Sequence, residues 1–138
     1  MKPEIVEHHG IRYAEVIRAD DRVEKTRFFS PAESSFQFGL LAHKAGFFEP
    51  PHYHKPFLRE IMDLQQMFVV QRGRVVIELY SDDGDLLQEI ELRAGDTIVL
   101  IHGVHALRVL EDFQAISIKQ GPFLGSESDK VNVDVKKK

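Results

Sequence analysis

Cysteine is absent from the 138-residue chain. That excludes a disulfide framework, a thiolate metal site and a cysteine nucleophile, and it leaves the redox compartment open. Tryptophan is absent as well, while phenylalanine occurs ten times, a balance that fits the interior of a β-barrel. No apolar run is long enough to span a bilayer. The N-terminal stretch MKPEIVEHHG carries acids and histidines where a secretion signal needs an apolar segment, so a soluble cytoplasmic protein with no membrane partner is expected. An excess of positive charge is also missing. There are 18 basic and 22 acidic residues and a formal net charge of −4, which argues against nucleic acid as a partner. A small anionic ligand is not excluded, because it feels only the local field.

What is present reads as one β domain over 1–138. Apolar residues make up 43% of the chain, enough for a single hydrophobic core. Residues 36–42 (FQFGLLA) read as a short apolar strand. Residues 66–71 (QMFVVQ) and 74–80 (RVVIELY) read as two strands of a tight hairpin reversing at Arg72-Gly73. Residues 81–85 (SDDGD) form a strong turn signal, since Asp and Gly tolerate the backbone angles that turns demand. Residues 86–92, 97–101, 105–110 and 115–119 complete the series of strands. Strands recurring about every ten residues predict a sandwich or barrel. Residues 56–64 (PFLREIMDL) suggest one or two helical turns with Pro56 near their start. The first 35 residues are mixed and are expected to add N-terminal strands, including an edge strand. Residues 124–138 form a polar tail ending in three lysines, expected to be solvated and frayed.

Seven histidines carry the chemistry: His8, His9, His43, His52, His54, His102 and His105. His52 and His54 are one residue apart, so in extended chain both point to the same face and can meet one ion at a ligand distance of ~2.0–2.1 Å. Pro50 and Pro51 favour that extended approach. His105 opens another predicted strand, and a barrel brings such distant hairpins together. Without further context the His52/His54 pair is equally well a pair of surface histidines, and His105 a core histidine bonded to backbone.

Two spacings supply the context. Gly46 is followed by five residues and then His52-Tyr53-His54, and Gln66 is followed by six residues and then Gly73. Further on, Gly95-Asp96 opens a stretch that ends His102-Gly103-Val104-His105. In these two motifs the chain resembles the cupins, and the resemblance covers roughly residues 36–119. It implies an all-β cupin double-stranded β-helix, a jelly-roll barrel with its core over about 36–119. It also implies a divalent cation (Zn, Fe, Mn or Ni) held by His52, His54 and His105, with Gln66 standing where the family places a glutamate ligand. A homodimer is expected from the fold alone.

Gln66 changes the electrostatics of such a site. A glutamine carbonyl can ligate a metal but brings no charge, so three neutral imidazoles and an amide leave the ion's double charge uncompensated. That weakens metal binding and strengthens the pull on an anionic ligand. Gln66 can equally serve by hydrogen bonding a metal-bound water. Glu60, in the long insertion after His54, is a candidate for the missing carboxylate, with a solvated loop residue as the plainer expectation. Tyr53, Phe68 and His102 are candidates for the ligand pocket, while His102 and His105 are expected on opposite sides of extended chain. The function expected is a metal-binding protein for a small oxygenated ligand, anionic or sugar-like. The alternatives are a metal-dependent enzyme of dioxygenase or sugar isomerase type and a metal-free structural domain.

Overall fold

The computed structural model describes residues 1–136. Eight strands dominate it: β1 (Glu4–His8), β2 (Ile11–Ile17), β3 (Arg27–Phe28), β4 (Gly39–Leu40), β5 (Gln66–Tyr80), β6 (Leu86–Arg93), β7 (Thr97–Leu100) and β8 (Val104–Lys119). The helix described, α1 (Ser126–Asp129), is a single turn. Six strands make one antiparallel sheet in the order β1-β2-β7-β5-β6, with β8 lying along the other edge of β5. The sheet curls into a half-barrel. β3 and β4 form a separate two-stranded ribbon.

Two apolar clusters lie on the two faces of the sheet, as strand alternation requires. On one face Ala14, Val16, Val75, Ile77, Leu79, Leu92, Ile98 and Leu100 pack together, all almost fully buried. On the opposite face Ile17, Phe38 and Val99 pack with Phe36, Met67 and Ile101. The register explains the division. Ala14 pairs with Leu100 and Leu100 with Gln66, while the neighbouring row runs Glu15–Val99–Met67.

The strand pattern departs from the expected one in an instructive way. Residues 66–80 do not form a hairpin at Arg72-Gly73 but one continuous bent strand, β5. Its first part pairs with β7 and its second part with β6. Gly73 has φ of 86°, and the register against β8 shifts at Arg72 and Arg74, so the glycine makes a bulge that bends the strand without reversing it. A Cβ at Gly73 would sit 2.0 Å from the Asp112 carbonyl oxygen, so only glycine admits the approach of β8 there. Residues 105–110 and 115–119 likewise merge into the single strand β8. Residues 56–64 are exposed and irregular, with a bend at Asp63 and no helical turn. Of residues 36–42 only Gly39 and Leu40 are in a strand.

The Gly95-Asp96 motif finds a structural role at the turn between β6 and β7. Asp96 is buried and accepts hydrogen bonds from the backbone N–H groups of Ala19 (3.0 Å) and Arg93 (2.9 Å) and from Arg18 Nη1 (3.0 Å). Three donors on one carboxylate clamp this turn to the end of β2.

Candidate functional site

His52 and His54 lie in the 43–64 segment, every residue of which is exposed. The backbone carbonyl of Pro50 can only accept, so His52 Nδ1, 2.9 Å away, carries the proton and donates to it. That leaves Nε2 as the nitrogen with a free lone pair, the arrangement seen when a metal-binding histidine is oriented through its other ring nitrogen. Glu49 Oε1 lies 3.5 Å from that Nε2. The two imidazole centres are 5.4 Å apart. Two imidazoles on one tetrahedral ion at ~2.0–2.1 Å place their ring centres about 5.3 Å apart. In ring separation the pair therefore matches two imidazoles on one cation, and in tautomer His52 does.

Gln66 and His105 lie elsewhere, at opposite ends of the β5–β8 pairing, and both line a cavity of about 460 Å³ together with Leu64, Gly103 and Val104. Gln66 starts β5 and His105 lies near the start of β8, where its register partner is Leu79. Gln66 donates from Nε2 to Ser117 Oγ at 3.0 Å, which leaves its carbonyl oxygen free to accept. Solvent reaches His105, but the protein wall around it and the charge of Lys130 lower its pKa from the ordinary 6.5, burial being the larger cause. The neutral imidazole favoured in this way is the form that can ligate a metal.

The other wall of this cavity comes from the tail. Asp129, Lys130, Val131, Asn132 and Val133 line it with Gln66 and His105. Lys119 Nζ holds Asp129 at 3.1 Å, and Lys136 bridges to Asp85 in strand-like fashion. The tail is solvated as expected, most of it exposed through residue 136, but it is not detached: residues 129–133 line this cavity and Lys136 bridges to Asp85. The signal was in the sequence, because Val131, Val133 and Val135 alternate as a strand does. The final two residues of the predicted tail, 137–138, lie outside the described residues.

His102 is exposed in the bend before β8, where it lines a neighbouring cavity together with His105 and Gln66; Gly103, with φ of 83°, interrupts the extended chain between the two histidines. Its Nε2 lies 2.9 Å from Asp82 Oδ2, and its ring stands edge-on to Tyr13. Phe68 packs against the main core and is a wall of that core. Tyr53 and Glu60 are exposed in the 43–64 segment.

The structure therefore brings Gln66, His102 and His105 around adjoining cavities, and His52 to His54, but it leaves the two groups apart. Among the described residues no cluster of three or more His, Asp or Glu side chains is set to hold a metal ion. Among them, too, no helix is long and apolar enough to cross a membrane. No protein-family model, curated protein or solved structure matches this chain.

Proposed function

We propose that this protein is a cupin-type jelly roll that binds a divalent cation through His52, His54 and His105, with Gln66 as neutral fourth donor, and uses it to hold a small oxygenated anion or sugar acid. The observation that carries the reading is the convergence of Gln66, His105 and Lys130 on one cavity. Lys130 sets a positive charge beside a neutral imidazole and a neutral amide, a field that favours an anionic ligand.

The 43–64 segment would bring the other two ligands. Besides the histidine pair it exposes Phe47, Phe48, Phe57, Leu58 and Met62, an apolar load that open solvent does not reward. Its last residues, Met62 to Leu64, already line the cavity that holds His105. Closure of the segment would bury those side chains and carry His52 and His54 toward His105. A bound cation supplies positive charge for binding an oxygen ligand. The residues of the chain orient that ligand and limit its contact with water.

Binding is favoured over turnover because the two carboxylates in the walls are engaged. Asp129 is paired with Lys119, and Asp63 accepts from Gln65 and Ser35. A candidate general base would have to be drawn from elsewhere. The proposed unit is a homodimer formed along β8, whose outer edge has no strand partner among the described residues.

The test is elemental analysis of untagged protein purified without added metal. About one equivalent of metal is expected, and the His52→Ala, His54→Ala double variant and the His105→Ala variant should each lose most of it. Metal content unchanged in both would overturn the site. Gln66→Glu should tighten metal binding roughly tenfold or more if Gln66 is a direct ligand, given the size of ligand and neighbouring-shell effects on affinity.

A further inference from the structure

A second cavity, of about 260 Å³, lies between β2 and the loop before β4. It is on the sheet face opposite Gln66, since Glu15 and Val99 belong to the row adjacent to Ala14, Leu100 and Gln66. Phe36, Phe38, Val99 and Ile101 give it apolar walls.

Its polar floor is Glu15. This side chain is only 1% exposed. Arg12 Nη1 donates to Oε1, but Oε2 is buried with no hydrogen-bond partner among the described residues. Leaving a buried carboxylate oxygen unpaired is costly, and Glu15 is a lining residue of a cavity large enough for a small molecule. Arg12 is already shared, because its Nε also lies 4.0 Å from Glu7, another lining residue. Two carboxylates against one guanidinium give the lining a net charge of minus one. The unpaired acceptor, the net negative charge and the apolar walls select a ligand with a cationic N–H donor and a compact apolar body.

We infer that this cavity is a binding site for a small primary amine, with the ammonium group on Glu15 Oε2 and the apolar body against Phe36, Phe38, Val99 and Ile101. The site requires neither the metal nor the His105 cavity, and it stands independently of the function proposed above.

The test is an NMR titration of the full chain with benzylamine, with benzyl alcohol and benzoate as isosteric neutral and anionic probes at fixed ionic strength. Benzylamine should shift the signals of Phe36, Val99 and Ile101 saturably, at least tenfold more tightly than benzyl alcohol, and benzoate should not bind. Glu15→Gln should weaken benzylamine at least tenfold and leave benzyl alcohol unchanged. Should Glu15→Gln fail to fold, Ser34→Trp, which fills the cavity from its loop side, should abolish the shifts with the rest of the spectrum intact. A cavity that holds only water would show no saturable shift with any probe. That outcome, equal affinity for the three probes, or benzylamine binding unaltered in the variants, would each overturn the assignment.

Discussion

His105 shows how one side chain links fold stability to the proposed chemistry. Burial first, and then the Lys130 charge, hold its pKa below the ordinary 6.5. In the unfolded chain the imidazole takes up its proton near 6.5, while the folded chain takes it up only at lower pH. Between those two values the unfolded state binds more protons, so stability rises with pH there. The contribution is fully present above about 6.5 and is lost as pH falls through that window toward the folded value. The urea midpoint of chelator-treated protein should therefore drop between pH 7.5 and pH 5.5, and His105→Gln should show a smaller drop. An equal drop in both proteins would mean that His105 titrates as it does in the unfolded chain. His105 was legible as a candidate from its spacing to Gly95-Asp96, whereas Lys130 beside it was not, because its position depends on a chain reversal that no local pattern announces. Glu15 was invisible for a related reason: its burial is decided by the loop before β4, far from it in sequence.

At the scale of the element, the sequence marked where strands run better than where they end. The strong apolar segments 66–71, 74–80 and 86–92 fall wholly in strands, and 97–101 does so but for Ile101. The Arg72-Gly73 pair misled because the same glycine geometry serves a turn or a bulge, and only the partner strand decides between them. Here β8 pairs with both halves of β5, which holds them in line. Gly73→Ala should consequently do more than slow a turn. It places a Cβ against the Asp112 carbonyl and holds alanine at a positive φ. A loss of about 2–4 kcal/mol in urea unfolding is expected, combining left-handed strain with displacement of β8. Gly84→Ala provides the contrast, because φ there is also positive but the nearest atom would be 3.5 Å away. Its loss should be about 1 kcal/mol, close to the strain term alone. Equal losses at the two positions would show that the approach of β8 at Gly73 carries no energetic weight.

The whole molecule is half of an enclosure, and its long strand β8 has the surface of a strand meant to be covered. Edge strands that face water usually alternate apolar and polar residues and guard their free edge with charge. β8 instead exposes apolar side chains on both faces. Leu107 and Val109 lie opposite Ile77 and Val75 on the main-core side, and Ile116 and Ile118 lie opposite Val69 and Met67 on the other. Beyond its pairing with β5 this strand has no other strand partner among the described residues, while the tail residues 131–135 share a cavity with its first residues, Val104 to Ala106. The partner proposed for this surface is a second copy of β8, which is present at equal concentration and offers the same free edge. The strand also carries Arg108 and Lys119 against Glu111 and Asp112, so two copies meet without net like-charge repulsion. The proposed homodimer should appear in light scattering at micromolar concentration as twice the 15.9 kDa chain mass. Ile116→Lys with Ile118→Lys should shift it to monomer, since each buried lysine would need a counter-charge that the apolar surface lacks. Leu58→Lys, on the exposed 43–64 segment and outside β8, should leave the mass unchanged. A monomer in the unaltered protein, or a dimer that survives the double substitution, would remove β8 from the interface and require the half-barrel to be closed by the chain's own exposed segment.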